Sequence, residues 1–385
     1  MTANRPDRPD ARPDRPRARP GRPRHLGARP DTTCPGPRPG RGASLARRRT
    51  RPLRSAAAGL AVVALALAGG CAGGAEGAAD DASGDLRDVT VVLDWTPNTN
   101  HLGLYVAQER GYFTDAGLDV TIVEPGEASG LSLLATGQAD FAYSVAEALV
   151  PARAKGADVV SIAAVTEHNT SSLVSLTETG ITRPRDLAGR SYGSYGGALE
   201  EALVRRLVAC DGGDPDAVEM VPLVSDDFRV GLTQRQLDVA WVFEGWDTIR
   251  LRDVDGLDVS SLRFEDYTGC IPDWYTPLVA TSGAAIADDP GTVAAFVGAL
   301  AHGYRDAIAQ PQAAADTLLA AVPELDRELV ERSAAYLAGE LAGEGAPWGR
   351  QDPLVWEAFV AFLESEGLTP EGFDTAAAWT DEFLD

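Results

Sequence analysis

The sequence predicts an α/β protein of two lobes, and three observations carry that expectation. From residue 88 onward, short apolar runs alternate with short helical patterns, as βαβ units and a mainly parallel sheet require. The alternation breaks at Leu173–Leu176, a strand-like run that follows Val159–Val165 with no helix between, and restarts after Gly180. From Pro290 the pattern is nearly all helical, in segments bounded by Pro or Gly.

In order, Val89–Leu93 reads as the first strand and Leu102–Arg110 as a helix stopped by Gly111. Asp115-Ala116-Gly117 turns the chain into a strand at Val120–Val123, then a short helix at Ala128–Thr136 ends at Gly137. A strand at Asp140–Tyr143, a helix at Val145–Lys155 and a strand at Val159–Val165 complete the first run. In the second run, Arg190–Ser194 precedes a helix at Leu199–Cys210, and Val218–Val224 precedes one at Phe228–Arg235. Val239–Phe243 closes that run, and Thr276–Thr281 reads as a returning strand. Helices follow at 290–309, 312–321, 324–341 and 353–366. The order puts lobe I at 88–180 and 276–385 and inserts lobe II at 181–275. The hinge falls where the chain crosses, near 176–181 and 275–279.

Residues 1–54 are packed with Arg and Pro and cannot bury a core. Residues 55–70 are apolar but short for a bilayer. With Arg47, Arg48, Arg49, Arg51 and Arg54 ahead of them, they read as an export signal, so 1–70 is a leader. It ends in Leu67-Ala68-Gly69-Gly70-Cys71, which resembles a bacterial lipobox, with Ala68 where Leu is usual. That resemblance implies a lipid on Cys71 and attachment to the outer face of the plasma membrane; an ordinary signal peptide is the alternative. Residues 71–87, small and acidic, read as a flexible tether.

Residues 1–70 hold 16 Arg and 4 Asp, so the remainder, with 18 basic and 53 acidic residues, carries a net charge of −35. Such a surface repels nucleic acid, and the basic leader is no argument for a nucleic-acid partner. In an oxidising compartment Cys210 and Cys270 either pair or stay as two buried thiols. His25, His101, His168 and His302 are scattered without zinc-type spacing, so no metal site is expected. No Gly-x-Ser-x-Gly elbow accompanies Ser144, which argues against a hydrolase triad with His101 and His168.

The stretch Leu93-Asp94-Trp95-Thr96-Pro97-Asn98-Thr99-Asn100-His101 crowds a Trp, a Pro and two Asn into a strand-end loop, where an α/β protein usually meets a small molecule. With Tyr105-Val106-Ala107-Gln108-Glu109-Arg110-Gly111-Tyr112-Phe113 and Gly117-Leu118-Asp119-Val120, it resembles the thiamine-pyrimidine-precursor binding proteins of ABC importers. Gly137-Gln138-Ala139-Asp140-Phe141, Asp186-Leu187-Ala188-Gly189-Arg190, Gly245-Trp246, Trp348-Gly349 and the ending from Trp379 to Leu384 extend the likeness over about 88–385. The resemblance implies a type II periplasmic-binding-protein fold, two lobes on a two-segment hinge. It also implies a monomer without cofactor that closes on a small solute and docks on a permease with its ATPase.

The same superfamily includes the fungal thiamine-pyrimidine synthases. These carry a cofactor-bearing Lys and a nearby His after the third strand; Ser144 and Ala148 stand there in this chain. Their Cys-rich run corresponds to Cys270-Ile271-Pro272-Asp273-Trp274-Tyr275, with one Cys. The comparison implies a binding protein. A receptor for another flat heterocycle or an alkylsulfonate-like anion, and a pyrimidine-forming or pyrimidine-modifying enzyme, are the alternatives.

A flat heteroaromatic ligand needs aromatic faces and a few fixed polar groups at its edge. Trp95 is the first stacking candidate. Asn98 and Asn100 either meet the ring edge or form the turn. Tyr143 and Ser144 end a strand at the same edge, Tyr143 facing the solute or walling the core. The Gly-rich turn before the 199–210 helix offers the N–H groups of Tyr195, Gly196 and Gly197 to a ligand oxygen. A carboxylate suits an aminopyrimidine edge, with Glu244 and Glu200 as candidates. Trp246 and Trp274 add a second face or pack the lobe.

Overall fold

The computed structural model describes residues 86–223, 228–343 and 347–384. The leader, Cys71 and the tether up to residue 85 lie outside the described residues. Strands β1 (Arg87–Val92), β2 (Leu118–Val123), β3 (Phe141–Ser144), β4 (Val160–Ala164) and β5 (Ser171–Leu176) come first. They are followed by β6 (Ser191–Ser194), β7 (Glu219–Pro222), β8 (Val239–Phe243), β9 (Val259–Arg263) and β10 (Leu278–Thr281). Among the described residues they form two five-stranded sheets, ordered β2-β1-β3-β10-β4 and β7-β6-β8-β5-β9.

Each sheet is mixed, where a mainly parallel one was expected. β1 runs parallel to β2 and β3, and β6 to β7 and β8. β10 is antiparallel to β3 and β4, and β5 to β8 and β9. The cause is the double crossing. A strand that enters a sheet from the other lobe starts at the edge where the resident strands end, so it must run against them. β5 also pairs wholly within the second sheet. The first crossing is therefore the 165–170 link, earlier than the 176–181 read from the sequence, and residues 171–180 leave lobe I.

Helices α1 (Leu102–Glu109), α2 (Tyr112–Asp115), α3 (Gly130–Ala135) and α4 (Ala146–Ala154) cover the first sheet, with α5 (Ala198–Cys210) and α6 (Phe228–Thr233) in lobe II. After the short α7 (Gly283–Asp288) come α8 (Pro290–Ala309), α9 (Pro311–Ala321), α10 (Arg327–Glu340) and α11 (Pro353–Ser365). Their starts follow from local chemistry. Asp289, Asp326 and Asp352 accept first-turn N–H groups as N-caps, and Pro opens α8, α9 and α11, where its missing N–H is not needed.

In lobe I, Phe296 of α8 stacks on Phe141 at 3.8 Å and on Phe113 at 5.4 Å. A second cluster joins the lobes. It holds Val92 and Ala142 of the first sheet, Leu173, Tyr192 and Val239 of the second, and Trp356 and Phe359 of α11. Trp274, on the return crossing, stacks on Phe359 at 5.2 Å and meets Trp241 of β8 edge-on at 6.3 Å. Cys210, at the end of α5, is disulfide-bonded to Cys270, which resolves the two possibilities for these residues. The bond closes a 60-residue separation. By the chain-entropy account that is worth about 4 kcal/mol against the unfolded state.

Candidate functional site

Both crossings join the same two edges. β4 ends at Ala164, and after a six-residue link β5 begins at Ser171, paired with Phe243 at the end of β8. On the way back, Arg263 ends β9 opposite Ser172, and β10 starts at Leu278 between Ser144 and Ala164. The carboxyl ends of β1, β3 and β4 and those of β6 and β8 therefore adjoin the hinge, where α/β sheets place their ligand sites.

On the lobe I edge, the loop after β1 is clamped from within. Asn98 is buried; its Oδ1 accepts the Asn100 N–H at 2.9 Å, and its Nδ2 donates to the Thr96 carbonyl at 3.0 Å. The Asn98 N–H donates to His101 Nδ1 at 3.2 Å, which leaves Nε2 to carry the proton toward Asp94 Oδ1 at 2.8 Å. Asn98 is thus a turn-former here, its amide satisfied by its own loop. The Asn100 carbonyl accepts from the Tyr304 hydroxyl at 2.6 Å. With its loop held so, Trp95 stays 55 % exposed.

Tyr143 takes the core-wall alternative. It is 1 % exposed, its hydroxyl shares a 2.9 Å hydrogen bond with Tyr304, and its ring meets His101 edge-on at 4.9 Å. Burial pushes its phenol far above the usual range, so it stays neutral. Ser144 is buried at the end of β3 opposite Leu278.

On the lobe II edge, the turn before α5 departs from expectation. Glu200 is buried and accepts from the Tyr192 hydroxyl at 2.8 Å, the Ser194 hydroxyl at 2.9 Å, the Tyr195 N–H at 3.0 Å and the Gly197 N–H at 3.4 Å. The Gly196 N–H donates to Ser194 Oγ at 2.9 Å. The N–H groups expected to hold a ligand oxygen are therefore occupied, and Glu200 is committed with them. A helix start needs acceptors for its first N–H groups, and this one takes them from its own first turn. Gly196, at φ 85°, makes the turn possible, and the Tyr195 ring is left 55 % exposed.

Glu244 opens a π-helical stretch running to Val254. Its buried carboxylate accepts from the Ser261 hydroxyl on β9, and Arg252 and Arg263 lie close enough to feel its charge. Trp246, half-buried, packs on the cluster of Leu102, Val106 and Ala334, so it belongs to the contact between lobes. There the Ser333 hydroxyl of α10 meets the Gly245 carbonyl and, at 2.5 Å, the Thr99 hydroxyl. Gly245 fits because a Cβ would stand 3.0 Å from Leu337.

Three groups at this edge escaped the sequence reading. The Asp94–His101 pair lies inside the motif, seven residues apart, and its spacing was the available signal. Asp273 ties the two crossings together, accepting the Asn169 N–H at 3.0 Å and the Trp274 N–H at 2.9 Å, and pairing with His168 Nδ1 at 2.7 Å. That carboxylate raises His168 to about 9. Glu147, in the first turn of α4, accepts from Trp274 Nε1 at 2.9 Å, across 127 residues of chain that no local pattern bridges.

Residues 98–314 match the family model described as NMT1/THI5 like. The chain is 33 % identical over 289 residues to the formylaminopyrimidine-binding protein of Halalkalibacterium halodurans, covering 73 % of this chain and 86 % of that one. It is 25 % identical over 311 residues to the riboflavin-binding protein RibY of Chloroflexus aurantiacus, covering 78 % and 86 % respectively. Among solved structures, the alkanesulfonate-binding protein SsuA from Xanthomonas axonopodis pv. citri matches with a TM-score of 0.58 at 16 % identity, over 77 % of this chain and 99 % of that one. That likeness shows the fold, the two-lobed periplasmic-binding-protein architecture that the mixed sheets and double crossing describe. By the length of the family match and the identity to its first relative, the chain belongs to the NMT1/THI5-like family.

Proposed function

We propose that this protein is the extracytoplasmic solute receptor of an ABC importer and that it captures an aminopyrimidine of the thiamine-precursor type. The observation that carries the reading is the placing of two aromatic rings. Among the described residues the exposed large hydrophobics are Leu86, Trp95, Val123, Tyr195, Val230 and Leu354, and the two aromatics among them lie in the loops that follow β1 and β6, one on each lobe. An aromatic ring half in water at a strand end offers a face on which a flat solute can stack. A flat solute between Trp95 and Tyr195 touches both lobes and so favours their closure. Asn98 and Asn100 shape the Trp95 loop, Ser144 ends β3 on the same edge, and Glu244 follows β8 on the lobe II edge. The 33 % identical relative, named for binding a formylaminopyrimidine, supports this ligand class.

Binding without catalysis is favoured by Ser144 and Ala148, which stand where the related synthases carry their Lys and His. The lipobox-like ending at Cys71 supports a lipid anchor that keeps the receptor beside its permease.

A thermal-shift screen against hydroxymethyl and formylaminomethyl aminopyrimidines, thiamine, riboflavin and taurine tests the reading. An aminopyrimidine at a hundred times its Kd is expected to add about 2.7 kcal/mol to stability. A shift with riboflavin alone selects the wider flat-heterocycle reading, and no shift with any pyrimidine refutes the proposal.

A further inference from the structure

Of the acids near the cleft edge, Glu200, Glu244 and Glu147 differ in their surroundings. Glu200 is saturated by four donors of its own turn and of β6. Glu244 accepts from the Ser261 hydroxyl and lies in the field of Arg252 and Arg263, which also pair with Asp253 and Glu265. Glu147 follows the carboxyl end of β3 by three residues, and among the described residues no cation acts on it in this way. Trp274 Nε1 donates to one of its oxygens at 2.9 Å, and the Thr276 hydroxyl lies 3.5 Å from the other. Neither partner carries charge, and both belong to the return crossing of the hinge. The charged group acting on it is Asp94, from the Trp95 loop, which His101 holds.

Resting on the aminopyrimidine reading above, we propose that Glu147 is the residue that selects the ligand's ring, by reading the edge where a ring nitrogen adjoins an exocyclic amine. The carboxyl carbonyl accepts from the amine, and one proton is shared between the carboxyl and the ring nitrogen. If the proton is on Glu147, its O–H donates to the ring nitrogen; if it is on the ring, the ring N–H donates to the carboxylate. Either way the pair holds one proton, and its hydrogen bonds lie in a site shielded from water.

The surroundings of Glu147 prepare this. Desolvation raises its carboxyl to about 7, with the negative charge of Asp94 adding to the effect. Below that value the free protein already holds the shared proton. Above it the carboxylate is bare, so forming the complex must take a proton from solution. Affinity is therefore steady from the ring nitrogen's own pKa up to about pH 7 and falls by up to about tenfold per pH unit above it. Because Trp274 and Thr276 hold the carboxyl from the hinge, a ligand that engages it also bears on the segment that moves during closure.

The test is calorimetric titration of wild type and Glu147→Gln with the hydroxymethyl and formylaminomethyl aminopyrimidines from pH 6 to 9. A glutamine amide presents the same donor and acceptor as a protonated carboxyl, but without titrating. The expected result is a wild-type affinity that declines above pH 7 and a variant that stays flat within about threefold across the range. A variant that keeps the wild-type decline, or that folds and binds at no pH, overturns the assignment. Should the variant fail to fold, wild type titrated at pH 8 in buffers of different ionisation enthalpy gives the same answer. Uptake of close to one proton per site supports Glu147, and uptake of none refutes it. Failure of wild type to bind either compound at any pH refutes the aminopyrimidine reading itself, and this assignment with it.

Discussion

Trp95→Ala is expected to weaken aminopyrimidine binding by more than tenfold while leaving the free protein's stability unchanged within about 0.5 kcal/mol. The ring is 55 % exposed, and the loop beneath it is held by Asn98, His101 and Asp94, none of which needs the indole. Removing it forfeits a stacking contact of roughly 0.5–1.5 kcal/mol and the apolar area covered on closure. Together these exceed the 1.4 kcal/mol or so that equals a tenfold loss. The measurement is a pair: Kd by calorimetry and melting of the unliganded variant. A variant that binds like wild type removes Trp95 from the site.

The largest effect on folding is expected at Gly303, where α8 crosses α1. A Cβ there would lie 2.0 Å from the Gly103 carbonyl oxygen and 2.8 Å from the Ala107 Cβ. Across the same crossing, a Cβ on Gly103 would meet the Tyr304 ring at 2.2 Å. Backbone cannot yield as a flexible side chain does, so Gly303→Ala must push the two helices apart. It is expected to lose about 3 kcal/mol, the upper end of what overpacking usually produces. In denaturant this appears as a lower midpoint with an unchanged slope. A midpoint equal to wild type would show that the helices already have room to separate.

Much of the fold was legible because its signals are local. The Asp and Pro residues at 289–290 and 352–353 mark helix starts by chemistry that acts within one turn, and α8 and α11 begin there. Trp95 could be singled out as a candidate, since a large ring beside Pro97 in a strand-end turn is out of keeping with a simple connection, and what the structure adds is its exposure. The direction of β5 and β10 was not legible. An apolar run such as Leu173–Leu176 fits either direction, and which one holds depends on a hinge distant in sequence. β9 escaped notice because Val259–Arg263 is half polar and only partly buried. The π-helical stretch from Glu244 to Val254 lacks a period of 3.6 and so gives no helical signature.

Within the site, residue types were easier to read than their partners. A Gly-rich turn opening a helix invites an anion, and the sequence showed Glu200 three residues on, but not that its carboxylate would fold back into that place. Glu244 and Glu147 look alike in a chain this acidic. What separates them is long-range: two arginines within reach of one, and a tryptophan 127 residues away on the other.

The aromatic cluster around Trp274 has a consequence for the whole molecule. It binds α11 to β8 and continues through Tyr192 and Val92 into both sheets. Neither sheet can lose its order without exposing apolar surface that belongs to the other. The disulfide pins α5 to the same return segment, so the helix that follows the Tyr195 turn is tethered to the crossing between the sheets. The two sheets are distinct as layers and inseparable as folding units.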